Sequence, residues 1–114
     1  MYDNTTIKNV PLAEVQTLAG LVDYQAGQVV SRTLSQNPNV SLTLFAFEQG
    51  EGLSSHTAPG DALVHVLDGA AVVDIEGVKH RVSAGEMIVM PSGKAHGLEA
   101  PERFKMLLVL VKAA

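Results

Sequence analysis

The fold of this chain is decided by the segments GEGLSSHTAPGDALVHVLDG at residues 50–69 and GEMIVMPSGKAHGLEA at residues 85–100. Each segment, called a framed segment here, begins with glycine and has a histidine at a set distance from that glycine. His56 follows Gly50 by six positions, and His96 follows Gly85 by eleven. Fifteen residues separate the two segments. The two framed histidines are therefore the first candidates for a shared site.

Around these segments, short runs rich in β-branched residues are separated by Gly, Pro and Asn every 6 to 12 residues. This spacing favours an antiparallel barrel or sandwich over alternating helices and strands. Residues 49–55 are expected to form a loop, while Asp68-Gly69 and Glu76-Gly77 are expected to form turns. The sequence thus predicts an all-β fold with strands at Val29–Gln36, Val40–Phe47, Ala62–Leu67, Ala70–Glu76, Val78–Ser83, Glu86–Met90, His96–Ala100 and Phe104–Val111.

The length of 114 residues and the mass of 12.0 kDa suit a single domain. Within residues 1–114 we expect an N-terminal segment at 1–27 and a barrel at 28–112. A short helix is expected near Pro11–Leu18, because proline suits a first helical position and Gly20 could end the helix.

Composition excludes several classes of function. The chain has no cysteine, which rules out disulfides, thiolate zinc sites and thiol catalysis. A net charge of −4 without a basic run makes nucleic acid and anionic membranes poor partners. The longest apolar run, Met106–Val111, is far too short for a membrane span. Residues 1–4 lack a signal-peptide pattern, so we expect a cytoplasmic protein.

The run Met106–Val111 is apolar at every position, so it does not fit a strand with one face in water. Either it lies inside a two-layer fold, or its outer face contacts another subunit. Val64–Leu67 and Val29–Val30 raise the same question. Together these runs favour a homodimer, the commonest kind of oligomer.

The two framed segments resemble the motifs of the small single-domain cupins. The glycines, the Pro91-Ser92-Gly93 turn and two of the three motif histidines stand at the family's spacings. The resemblance implies a double-stranded β-helix, that is, a jelly-roll barrel formed by one domain. It also implies that His56 and His96 converge inside the barrel.

The departures from the family pattern bear on function. In metal-bearing cupins, two histidines and a glutamate of the first motif and the histidine of the second hold the metal. Here only His56 and His96 remain, because Ala58 replaces the other histidine and Ala62 replaces the glutamate. Ala100 replaces the asparagine of the second motif. We therefore expect these five residues to line one ligand pocket.

A catalytic metal site normally has at least three protein ligands. His56 and His96 would leave iron, nickel, manganese or zinc weakly held. Asp61 is a candidate third ligand if its loop turns it inward, although strand alternation places residues 61 and 62 on opposite faces. A divalent metal is thus a candidate cofactor that the ligand set supports only in part.

Three hypotheses for function remain open at this point. The first is a small-molecule binding protein with a weak or vestigial metal site in the barrel pocket, for which the resemblance implies small polar or carboxylated ligands. The second is a metal-dependent oxygenase or isomerase that uses His56 and His96. The third is a dimeric interaction scaffold without chemistry. No catalytic residue is identified by the sequence.

The two remaining histidines are expected to lie outside the pocket. If Ala62 points into the barrel, then Val64 and Val66 do too, and His65 points outward. His80 lies between two basic residues, Lys79 and Arg81, and is expected at the surface or at a sheet edge.

Overall fold

The computed structural model describes residues 6–112, so the first five residues of the expected N-terminal segment lie outside it. Its secondary structure confirms the all-β prediction. None of the described helical structure is long and apolar enough to cross a membrane. The elements within residues 6–112 are a 3-10 helix at Leu18–Leu21 and the strands β1 (Val29–Gln36), β2 (Val40–Phe47), β3 (Gly52–His56), β4 (Gly60–Ile75), β5 (Val78–Ser83), β6 (Met87–Met90), β7 (His96–Glu99) and β8 (Phe104–Lys112).

The strands form two sheets that share β4. One sheet, called sheet A here, has the order β1-β2-β8-β4-β6, and the other, sheet B, has the order β5-β4-β7-β3. Every pairing is antiparallel. Two antiparallel sheets that share one strand form the jelly-roll barrel that the resemblance of the motifs implies.

The strand β4 changes sheets at a bulge. Its first half pairs with β6 and β8, and its second half pairs with β5 and β7. The register slips between Val66 and Asp68, and Gly69 has a φ of 70°. A Cβ at Gly69 would overlap the carbonyl oxygen of Arg103. The Asp68-Gly69 turn predicted between two strands is therefore wrong: the same residues bend one continuous strand.

The loop predicted at residues 49–55 is also partly wrong, because Gly52–His56 form β3. This strand has no alternating apolar pattern, since it reads GLSSH. Its conformation comes from pairing with β7, where Gly52 lies opposite Glu99 and Leu53 opposite Leu98. A tertiary partner thus sets a strand that local propensity does not favour.

The helix expected near Pro11–Leu18 does not form, and helical structure within residues 6–112 is confined to Leu18–Leu21. Ala13 has a φ of 59°, a left-handed conformation that interrupts a right-handed helix. The segment instead forms bends and a turn, and its end packs on the outer face of sheet A. Leu18, Leu21 and Val22 pack there in a cluster with Leu44.

Polar contacts fix the end of this segment to the barrel. The Tyr24 hydroxyl donates to Asp68 at 2.5 Å, and the Arg103 guanidinium lies 4.4 Å from the centre of the Tyr24 ring. Burial, reinforced by the Asp68 hydrogen bond, raises the pKa of the Tyr24 hydroxyl well above its usual value. Arg103 in turn donates to Glu48 at 2.6 Å. Tyr24 therefore stays protonated and keeps its donor role.

The core between the sheets follows the expected alternation. Ala62, Val64 and Val66 are buried, and the apolar run of β8 divides between two environments. Met106 faces the core between the sheets, whereas Leu107 packs with the N-terminal segment on the outer face. Both faces of β8 are therefore covered in part, which helps to explain why the run Met106–Val111 is apolar at every position.

The corner in β4 generates a stability prediction. Gly69→Ala should destabilise the protein far more than Gly77→Ala, whose φ is 83° but whose added Cβ would meet no atom within 4 Å. The left-handed backbone alone costs about 1–2 kcal/mol for a residue with a Cβ. Gly69→Ala adds an overlap with the backbone at the start of β8. Urea unfolding of both variants measures the difference, and equal losses would contradict the close approach at the corner.

Candidate functional site

Two histidines on neighbouring strands meet inside the barrel. His56 ends β3 and His96 begins β7, and the two residues are directly opposite in the register. Their ring centres are 4.5 Å apart, and the rings are tilted by 71° in an edge-to-face arrangement. Forty positions of chain separate these residues, so strand pairing alone brings the imidazoles together.

Backbone carbonyls fix the tautomer of both rings. The Nδ1 atom of His56 lies 2.9 Å from the carbonyl oxygen of Ser54, and that of His96 lies 3.2 Å from the carbonyl oxygen of Lys94. A carbonyl oxygen accepts hydrogen bonds and cannot donate them, so each Nδ1 carries the proton. In a neutral ring, Nε2 is then left with a free lone pair.

The two rings differ in burial. His96 is only 2% exposed, whereas His56 is exposed at the barrel mouth. Burial lowers the pKa of His96, and the neighbouring His56 lowers it further, while the bond to the Lys94 carbonyl acts in the opposite direction. At neutral pH the buried ring is therefore uncharged, with Nε2 as an acceptor.

A cavity of about 120 Å³ adjoins the two imidazoles. On the sheet A side, one register row crosses four strands as Ser41, Leu110, Ala62 and Met90. On the sheet B side, the histidine pair lies beside the pair of Leu53 and Leu98. The lining is thus mainly apolar, and its full set is Ser41, Leu53, His56, Ala58, Ala62, Met90, His96, Leu98, Leu108 and Leu110.

Four of the five residues expected to share a pocket line this cavity, and Ala100 does not. Ala100 is buried beyond the far end of β7 from His96. Its amide donates to Glu51 at 3.0 Å, and its carbonyl accepts from Gly50 at 2.9 Å. Ala100 therefore lies outside the lining of this cavity, since β7 carries it away from the imidazoles.

Asp61 is also absent from the cavity. It is exposed, and its carboxylate accepts the Ser92 amide at 2.8 Å. Asp61 already belongs to β4, where alternation turns it outward while Ala62 points inward. Within residues 6–112 no three His, Cys, Asp or Glu side chains are close enough to hold a metal ion. The donor set of two imidazoles does not fit a three-ligand metal site.

The other two histidines lie outside the cavity. His65 is half-buried on the outer face of sheet A, opposite Met87 and Leu107. His80 is half-buried on β5, whose pairing within the described residues is with β4, so it lies at a sheet edge as expected. In the register, however, His80 is opposite the buried Val73, which places it on the inward-facing row.

Sequence analysis missed the Ser41 hydroxyl, which is the third polar group of the lining. A signal for it was present, since Ser41 shares the alternation of Thr43 and Phe45 along β2. That pattern identifies the inward face of the strand. It does not say which inward residues reach the histidines, because this depends on the register with β8.

A wider groove of about 540 Å³ crosses sheet B, and neither His56 nor His96 lines it. The two carboxylates in its lining already have partners. Asp74 accepts the Gly77 amide at 2.9 Å, and Glu99 pairs with Lys79 at 3.3 Å. The smaller cavity beside His56 and His96 is therefore the better candidate site.

Comparison with known proteins identifies relatives. A family model for the cupin domain matches residues 43–111. No curated protein matches the chain. A conserved protein of unknown function from Streptococcus pyogenes is 40% identical, with a TM-score of 0.95 and a match that covers 96% of both chains. A cupin superfamily protein from Desulfitobacterium hafniense is 32% identical, with a TM-score of 0.89 and coverage of 94% of this chain and 98% of that one.

A third similar structure is a cupin 2 conserved barrel domain protein from Leptotrichia buccalis. It is 47% identical over 83% of this chain, with a TM-score of 0.82, and the match covers 46% of the Leptotrichia chain. Identity at this level over most of the chain supports a shared barrel.

The lowered pKa of His96 generates a prediction about pH. The unfolded chain binds a proton near the ordinary histidine pKa of about 6.5, whereas the folded chain does so only at lower pH. The free energy of unfolding should therefore fall as pH drops through about 6.5, and the loss should be complete below the pKa of folded His96. In His96→Gln this part of the pH dependence should disappear. Urea unfolding between about pH 5 and 8 tests this, and an unchanged profile in the variant would contradict it.

Proposed function

The chain belongs to the cupin domain family, and we propose that it is a small-molecule binding protein whose barrel cavity acts without a resident metal ion. The observation that carries the proposal is the cavity lining: two adjacent imidazoles and one hydroxyl face seven apolar residues. A concave, mostly apolar site with a few convergent polar groups is typical of ligand binding.

The alanines at the motif positions support this proposal in two ways. Ala58 and Ala62 remove two family ligands, and their small side chains leave space beside His56 and His96. A catalytic metal would depend on at least one further donor from the protein. Because Asp61 is engaged with Ser92, the nearest acidic candidate does not supply it.

Metal analysis tests this reading against a metal-dependent oxygenase or isomerase. Protein purified without chelator and then incubated with Fe²⁺, Ni²⁺, Mn²⁺ or Zn²⁺ should retain far less than one equivalent after desalting. The double variant Ala58→His, Ala62→Glu restores the family ligand set and should bind Zn²⁺ at least about a hundredfold more tightly. One retained equivalent in the natural protein, lost in His56→Ala, His96→Ala, would overturn the metal-free proposal.

A ligand screen tests binding itself. A library of small metabolites, followed by thermal shift and ligand-observed NMR, should give hits that disappear in Ala58→Phe, because the new ring fills the half-buried mouth of the cavity. Val78→Phe, an exposed change on β5, is the matched control and should keep the hits. Absence of any hit would favour the scaffold hypothesis.

We also propose that the partner is a second copy of this chain, which covers the apolar part of the outer face of sheet A, on β6, β4 and β8, that lies beyond the N-terminal segment. The patch joins three adjacent strands in register, with Val89 opposite Leu63 and Leu63 opposite Val109. Met87 is 49% exposed and Val111 is 51% exposed. The centre of the patch bears no lysine, arginine or carboxylate, and the exposed Asp61, opposite Val111, lies at its edge. A two-fold pairing centred on Leu63 therefore brings no like charges together at the centre.

Sedimentation analysis tests the dimer. The natural chain should sediment as two copies of the 12.0 kDa monomer. Val89→Glu places a charge in the patch and should shift the protein to monomer, whereas Val78→Glu, at a residue that is 58% exposed on β5, should leave the dimer intact. A natural chain that is monomeric at micromolar concentration would refute the proposal.

A further inference from the structure

The proposed binding function does not specify the chemical class of the ligand. The lining and size of the cavity limit the classes of ligand that can bind. Resting on that function, we infer that the site takes a neutral molecule with a compact apolar body and a single O–H or N–H donor, of which phenol is the simplest probe. The donor lies against the Nε2 atoms of His56 and His96, and the apolar body occupies the space above Ala62.

The donor requirement follows from the tautomers. Both Nδ1 protons are already donated to backbone carbonyls, at 2.9 Å in His56 and 3.2 Å in His96. The imidazole atoms left to the cavity are therefore two Nε2 lone pairs, on rings whose centres are 4.5 Å apart, while the Ser41 hydroxyl can either donate or accept. A ligand that only accepts hydrogen bonds leaves these lone pairs unpaired, whereas an O–H or N–H group satisfies one of them.

The requirement for neutrality follows from the rest of the lining. No Lys, Arg, Asp or Glu side chain lines the cavity among the described residues. Lys94 is exposed, and the Asp61 carboxylate is turned toward Ser92. An ammonium or carboxylate group that entered the cavity would lose its hydration without gaining an opposite charge. This argues against the carboxylated ligands that the family resemblance implies.

The limit on size comes from volume and shape. The cavity measures about 120 Å³, and an apolar protein cavity of about 150 Å³ is known to accept benzene. A ring of about six heavy atoms is therefore near the upper limit, and its polar atom can point toward the mouth at the exposed His56. Met90, with its flexible thioether chain, lines the opposite sheet and can adjust to the ring.

Titration calorimetry at about pH 8, where free imidazole is neutral, tests the inference with five probes that share one benzene ring and differ in its substituent; toluene matches phenol in its number of heavy atoms. The probes are phenol, toluene, anisole, benzylamine and benzoate. Phenol should bind at least about tenfold more tightly than toluene or anisole, because only phenol donates to Nε2. It should also exceed benzylamine and benzoate by at least about tenfold, because both carry a charge at this pH.

Variants test which side chains cause the preference for phenol. The double variant His56→Ala, His96→Ala removes both Nε2 acceptors and should reduce the preference for phenol over toluene to about twofold or less. Ala58→Phe should abolish binding of every probe, and His80→Ala, on the edge strand β5, should leave the affinities for phenol and toluene unchanged. Retention of the full phenol preference in the double variant would overturn the assignment of the donor contact.

The outcomes separate this inference from the proposed function. Equal affinity for phenol and toluene would overturn the donor requirement, and preference for benzoate or benzylamine would overturn neutrality. In either case loss of binding in Ala58→Phe would still support a binding cavity. If no probe binds while the metabolite screen gives cavity-dependent hits, the ligand class is wrong and the proposed function stands. If the screen also gives none, both fail.

Discussion

The bend in β4 is the constraint on which the site depends. Because this strand leaves β6 and β8 at Gly69 and continues beside β5 and β7, it carries the register of one sheet into the other. The pairing of Ile75 with His96 fixes where β7 begins, and the pairing of β7 with β3 then places His56 opposite His96. A slip of one residue at the corner would turn the imidazoles outward, since neighbouring residues of a strand face opposite sides. The glycine at the corner therefore positions a site built from residues distant in the chain.

The imidazole pair shows how a buried polar group is accommodated without a charge. His96 is almost fully enclosed, and its protonated form would have to lie next to a second imidazole. The carbonyl of Lys94 instead accepts a hydrogen bond from Nδ1–H, so the neutral ring keeps one hydrogen bond and leaves its other nitrogen to the cavity. His56 repeats this arrangement with the carbonyl of Ser54. The backbone of the two segments thus prepares a pair of acceptors before any ligand binds.

Most of the fold could be predicted from the sequence, because glycine and proline mark its turns and the strand alternation is regular. The convergence of His56 and His96 was also expected, from the resemblance of the two motifs to those of the cupins. The errors arose where tertiary pairing overrides local pattern: β3 forms only because β7 pairs with it, and Ala100 leaves the cavity because of where β7 ends. The role of Asp61 as a metal ligand was uncertain because the sequence placed it in a loop whose side chains could turn inward. In the structure Asp61 belongs to β4. The sequence of β2 alone does not show its register with β8, and this register brings Ser41 into the cavity lining.

Ala58 and Ala62 affect both metal coordination and the space in the cavity. The same two methyl groups create the shortage of metal ligands and the space beside the imidazoles, so metal coordination and a cavity-filling ligand compete for one set of positions. A carboxylate at 62 would occupy the space that an apolar ligand needs, and it would bring a negative charge against Nε2. With methyl groups there, the surroundings of the histidine pair stay uncharged and mostly apolar, and its lone pairs call for a neutral hydrogen-bond donor. In the proposed function, the departures from the metal-binding pattern of the family change the kind of ligand that the barrel would hold.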